Sequence, residues 1–124
     1  MPEGRKYDAA IIGAGQAGVP LATTLAGAGW RTVLIESTHV GGTCINEGCT
    51  PSKTLIASAR VAQVARRARE YGITTGEVSV DMPAIYRRKQ ELVDSWRDGS
   101  RQMLEGTDNL DLLDGVASFL GPHK

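Results

Sequence analysis

Two cysteines, Cys44 and Cys49, are the only thiols in the 124 residues, and only four residues separate them. They lie in the run Gly41-Gly42-Thr43-Cys44-Ile45-Asn46-Glu47-Gly48-Cys49-Thr50-Pro51-Ser52-Lys53. A structural disulfide stabilises mainly by closing a long loop in the unfolded chain, and so small a loop gains little. A structural zinc site wants four ligands, and the chain adds only His39 and His123 to the two thiols. Exchangeable dithiol chemistry remains. In a regular helix, positions i and i+5 are about 8–9 Å apart by Cα, whereas a disulfide needs at most about 7 Å. An oxidised pair therefore needs a distorted segment, which Gly48 can supply. Thr50-Pro51 reads as N-cap and first residue of a helix. Cys49 would sit just before that positive end, which favours a thiolate there. Lys53, one turn on, adds its charge or is an ordinary exposed lysine.

Gly13-Ala14-Gly15-Gln16-Ala17-Gly18 fits G-x-G-x-x-G. The first glycine permits a tight turn, the second lets a pyrophosphate approach the backbone, and the third lets helix and strand pack closely. N–H groups at the helix N-terminus then face the phosphates. Glu36 follows Gly13 by twenty-three positions. Its carboxylate can accept from ribose hydroxyls and would repel a 2′-phosphate, which disfavours NADP at this site. The motif does not separate FAD from NAD, and a glycine turn that binds nothing is the bland alternative. So is a nucleotide-binding protein without dithiol chemistry.

These groups need a scaffold. Tyr7–Ile12 is an apolar run that stops at Gly13, as a buried parallel strand does. Residues 16–28 carry Ala17, Leu21, Leu25 and Ala28 at helical spacing, and Gly29 ends them. Pro20 predicts an irregularity in that helix. Thr32–Ile35 is a second β-branched run closed by Glu36, which completes a βαβ unit. Residues 37–50 read as a loop. A helix runs from Pro51 towards Arg66–Glu70, with Gly72 as its stop. Asp81 predicts the N-cap of a further helix, with Pro83 in its first turn and Ile85, Leu92, Trp96 and Met103 as its apolar stripe. Leu110–Leu113 and Val116–Leu120 read as two strands around a hairpin-type turn at Asp114-Gly115.

Composition bounds the function. A chain of 13.2 kDa with 41% hydrophobic residues has the size and apolarity of one globular domain. Fourteen basic and fourteen acidic residues leave no net charge, which argues against electrostatic nucleic-acid binding. The uncharged stretch Ala9–Trp30 has the outline of a signal peptide, with Ala26-Gly27-Ala28 as its cleavage site. Five glycines, a proline and polar residues break it, so neither a leader nor a membrane span is expected. A reducible cysteine pair fits the cytoplasm.

Gly13, Gly15, Gly18 and Glu36, followed by Gly41-Gly42-Thr43-Cys44, Asn46, Gly48-Cys49 and Pro51-Ser52-Lys53, resemble the N-terminal part of the class I pyridine nucleotide–disulfide oxidoreductases. That family includes dihydrolipoamide dehydrogenase, glutathione reductase and mercuric reductase. The wording Gly48-Cys49-Thr50-Pro51 and Tyr71-Gly72 looks closest to mercuric-reductase-like members. The resemblance implies an α/β, Rossmann-like FAD-binding fold, incomplete relative to the family. Residues 1–124 would be the first part of an FAD-binding domain, without the NAD(P)H-binding and dimerisation domains. It implies FAD as cofactor and NAD(P)H as electron donor. The glycine turn would hold the FAD pyrophosphate, Glu36 the adenosine ribose, Gly42 and Thr43 the body of the FAD, and Lys53 would lie near the flavin. Cys49 would be the flavin-facing thiol and Cys44 the interchange thiol that attacks a small disulfide or thiophilic metal. A truncated, non-catalytic nucleotide-binding or dithiol-switch module is the alternative. Faces of Tyr7–Ile12, Thr32–Ile35 and the Ile85–Met103 stripe would be left apolar and exposed, and self-association or a partner chain would bury them.

Overall fold

The computed structural model describes residues 5–121. Strand β1 (Ala9–Ile12) leads through the glycine turn into α1 (Gly18–Gly27) and then β2 (Thr32–Glu36). A short helix α2 (Gly42–Asn46) precedes α3 (Cys49–Arg66), which ends in a 3-10 turn at Ala68–Tyr71. An extended segment leads to α4 (Met82–Glu105) and β3 (Leu110–Asp114). The sheet is parallel throughout, in the order β1-β2-β3. Ala9 pairs with Thr32 at one edge, and Thr32 pairs with Leu110 at the other. The β-branched run thus becomes the central strand, and Thr32, Val33, Leu34 and Glu36 are all buried.

The core is small. Ala14, Ala22, Ala26, Leu34, Val40, Leu104 and Leu110 form it, with Ile11, Val19 and Leu112 packed against them. The alanines of α1 let that helix lie close to the sheet, while Leu104 brings in the end of α4. Asp81 caps α4 by accepting from Ala84 N at 2.9 Å, with Pro83 in the first turn. Gly72 ends the α3 region at φ +76°.

Four expectations need correction. Pro20 causes no break: it is the third residue of α1, where an N–H has no intrahelical partner to lose. The segment 37–50 contains helix α2, and α3 starts at Cys49 with Gly48 as N-cap, so Thr50 and Pro51 lie inside its first turn. Asp114-Gly115 is not a hairpin. Gly115 N donates to Glu36 O at 2.7 Å, which continues the parallel ladder, and residues 116–120 are in no strand. The stripe of α4 is left exposed towards its C-terminal half, as the sequence led us to expect. Trp96 is 57% and Met103 46% exposed, while Val93 and Leu104, about 90° round the helix, are buried. Finally, Thr32–Ile35 is covered, being the middle strand, whereas Ile12 on the β1 edge is 56% exposed.

Candidate functional site

The glycine turn leaves β1 with Gly13 N donating to Ile35 O at 2.8 Å. It then enters α1 with no room to spare at Gly18: a Cβ there would stand 1.9 Å from Gly13 O. This is the close helix–strand approach that the third glycine allows. Gly15 differs. A Cβ on it would meet only Gly42 Cα, at 4.0 Å, so its outer side is open. Among the described residues no acceptor faces the N–H groups of Gly15, Gln16 and Ala17. Three bare donors beside a side-chain-free turn at the start of a ten-residue helix suit a pyrophosphate.

Glu36 ends β2 beneath that turn. Its Oε2 accepts from Ala14 N at 2.7 Å, and its Oε1 from Thr38 N at 2.8 Å and Thr38 Oγ1 at 3.1 Å. Burial alone raises the carboxyl pKa, but these bonds, with one from Ser37 N, outweigh it and hold the group below its ordinary value. Glu36 is therefore an ionised acceptor of fixed orientation. It lines a cleft of about 400 Å³ with Gly13, Gly15, His39, Gly42 and Thr43. The residues present thus fit a dinucleotide: bare N–H groups for phosphates and a carboxylate for ribose hydroxyls.

The cysteine segment is docked onto the glycine turn. Gly41 N donates to Ala14 O at 2.7 Å. Gly42 has φ +58°, and a Cβ on it would come within 2.9 Å of Gly15 Cα, so the two glycine backbones pack directly on each other. From there α2 carries Cys44 and α3 opens with Cys49. Both thiols are free. The Cys44 thiol is pushed above its ordinary pKa, first by its hydrogen bond to the Cys49 sulfur, then by partial burial and by the Cys49 charge. The Cys49 N–H and the Lys53 ammonium pull the other way without prevailing.

Cys44, Cys49 and Lys53 line a second cleft, of about 460 Å³. Its other wall is Leu92, Trp96 and Ser100 of α4, one residue per turn, with Gln16 at the end. Gly15 and Gln16 are consecutive, and so are Thr43 and Cys44. The first of each pair lines the nucleotide cleft and the second lines the thiol cleft. All nine residues singled out from the sequence, from Gly13 to Lys53, therefore lie in or around two adjoining clefts, Gly18 as the packing support of the turn. Sequence reasoning missed Gln16, His39 and Thr38, and placed Leu92 and Trp96 on an exposed apolar stripe without assigning them to the thiol cleft. A larger cavity, about 530 Å³, lies beside Arg5, Arg31 and Asp111 at the start of the strands. Its two arginines are already paired, Arg5 with Asp111 and Arg31 with Asp8. His123 lies outside the described residues, among which no group of three metal-ligating side chains occurs.

A parallel βαβ unit with this glycine turn is joined to a Cys-x4-Cys pair at a helix start. The chain belongs to the pyridine nucleotide-disulphide oxidoreductase family, whose model matches residues 7–119. It is 40% identical over 114 residues to a dihydrolipoyl dehydrogenase of Chlamydia muridarum, covering 92% of this chain and 24% of that protein. It is 36% identical over 117 residues to a dihydrolipoyl dehydrogenase of Bacillus subtilis, covering 94% of this chain and 24% of that protein. The fold matches the Cu(II) complex of the HOCl-induced flavoprotein disulfide reductase RclA from Escherichia coli, with a TM-score of 0.77 and 39% identity. That match covers 94% of this chain and 23% of the RclA chain. The chain thus spans about a quarter of the length of these relatives.

Proposed function

We propose that this chain is the FAD-binding, redox-dithiol segment of a flavin-dependent NAD(P)H:disulfide oxidoreductase, the first part of its FAD-binding domain. The observation that carries this reading is the sharing of one glycine turn by the nucleotide cleft and the thiol cleft. A dinucleotide whose pyrophosphate lies on Gly15–Ala17 has a direct path from Glu36 to Cys49 and Lys53. Gly42 and Thr43 would flank that path. When bound, the flavin supplies two-electron transfer between NAD(P)H and the dithiol. The rest of the fold would come from a longer polypeptide or a second one.

The chain's own residues then do the sulfur chemistry. Cys44 loses its proton to solvent and attacks a substrate disulfide, forming a mixed disulfide and releasing one substrate thiolate, which takes up a proton. Cys49 then loses its own proton, attacks Cys44 Sγ and expels the second substrate thiolate, which takes up the second proton. The products are the Cys44–Cys49 disulfide and two reduced thiols, and two electrons and two protons must return to reset the pair. Lys53 lines the same cleft as both sulfurs. A thiophilic metal ion is the alternative substrate on the same two sulfurs.

No described helix is long and apolar enough to cross a membrane; the reducible cysteine pair is the ground on which we assign the chain to the cytoplasm. The open β1 edge at Ile12 and the exposed Trp96 and Met103 favour burial by further domains or a second chain. Titrating the 124-residue chain with FAD tests the reading. Expected are saturable quenching of flavin fluorescence and a long-wavelength flavin–thiolate band that Cys49→Ser removes. No binding, or a band indifferent to that substitution, refutes it. Bound FAD that NADH does not bleach favours the second reading, a nucleotide-binding dithiol module without turnover.

A further inference from the structure

We propose that Asn46 is a positioning residue for the dithiol: its side-chain amide clamps α2 so that Cys44 stays beside Cys49. The inference rests on the dithiol reading above. Cys44 lies in a helix of five residues, Gly42–Asn46. So short a helix has no stability of its own. Its N-cap, Gly41, offers no side-chain bond. What crosses its start is Asn46 Nδ2, which donates to Val40 O at 3.0 Å and to Gly42 O at 2.9 Å. One side chain at the end of α2 thus ties down both the approach to the helix and its first residue, with Cys44 midway between. Cys49, in contrast, opens an eighteen-residue helix and does not depend on that clamp.

The other half of the amide shows what it is kept for. Asn46 Oδ1 is buried and has no partner among the described residues. A buried acceptor without a donor is costly. Turning the amide over would set its oxygen against two carbonyl oxygens, so the donor half fixes the orientation. An apolar residue would spare the orphan oxygen but would release α2. Cys44 and Cys49 line one cleft, and their juxtaposition there is what such release would break.

The test uses Asn46→Asp, which places oxygens where the donors were, and Asn46→Ala, which removes the amide. Each 124-residue variant is equilibrated with reduced and oxidised glutathione, and Cys44 and Cys49 are alkylated with iodoacetamide and resolved by mass spectrometry. The equilibrium constant for closing the Cys44–Cys49 disulfide should fall about tenfold, the worth of one to two net hydrogen bonds. Cys44 should alkylate several-fold faster, while Cys49 stays within twofold. Loss of the fold would instead accelerate both thiols together, so the ratio separates positioning from general structure. If Asn46→Asp does not fold, Asn46→Ala carries the same readout. A closure constant within twofold of the parent, or parallel acceleration of both cysteines, overturns the role of Asn46. A parent chain that forms no Cys44–Cys49 disulfide overturns the dithiol reading itself.

Discussion

Replacing Gly18 and Gly15 separately by alanine should separate packing from binding within one six-residue turn. At Gly18 the added Cβ would stand 1.9 Å from Gly13 O, and real Cβ contacts stay beyond 3.0 Å, so α1 must retreat from β1 by about 1 Å. A gap of that size forfeits a quarter to a half of each dispersion contact across it. The contacts concerned are those of Val19, Ala22 and Ala26 with Ile11 and Leu34, a large part of a small core. Overpacking of this kind costs about 3 kcal/mol, and alanine's better helix propensity returns less than about 1 kcal/mol. The net loss, about 2 kcal/mol or more, corresponds to a fall in Tm of roughly 8 °C for a domain of this size. At Gly15 a Cβ meets nothing nearer than 4.0 Å. Gly15→Ala should therefore melt at or slightly above the parent, because alanine narrows the unfolded ensemble. The same methyl stands on the open face where the pyrophosphate would lie, so FAD affinity should drop at least about tenfold. Thermal melts followed by circular dichroism, with flavin fluorescence titrations, check both arms. Gly15→Ala melting as low as Gly18→Ala, or binding FAD like the parent, would refute the division of labour.

Glu36 has a depressed pKa in the folded chain, so its contribution to stability is complete above its unfolded value near 4.5 and is lost as pH falls through the lower folded value. Glu36→Gln should accordingly be less stable than the parent at pH 7 and converge with it only once the pH has fallen below the depressed folded value, as read by urea melts. The hydrogen bond to the Cys49 sulfur holds the Cys44 thiol up, so Cys49→Ala should lower the pH at which Cys44 alkylates; an unchanged or higher midpoint refutes that cause. Tyr7 Oη donates to Asp111 Oδ2 at 2.6 Å and ties the chain before β1 to β3. Tyr7→Phe should cost about 1 kcal/mol, seen as a Tm lower by roughly 4 °C.

The βαβ unit was legible because two signals agreed in it. Two apolar runs of strand length flanked a helical pattern, and the glycines fell at the turn between strand and helix. The segment 37–50 was not legible for the converse reason. A five-residue helix has no periodicity to read, and Gly41 and Gly42, both at positive φ, look like loop residues even though they launch α2. Pro51 misplaced the start of α3 by two residues, since proline is tolerated anywhere in a first turn whose N–H groups are unpaired. The hairpin failed because Asp114-Gly115 carries a turn signature that a parallel ladder overrides when β2 is already in place to receive it. The stripe of α4 is the most instructive case. Leu92 and Trp96 do share a helix face, but that face closes the thiol cleft, and Val93 and Leu104 enter the core from another. Apolar periodicity reports that residues look the same way, not what they look at. Because α4 serves both a core and a site, its stripe is exposed at Trp96 and Met103 as expected, while the core contacts come from Val93 and Leu104, which the stripe does not mark.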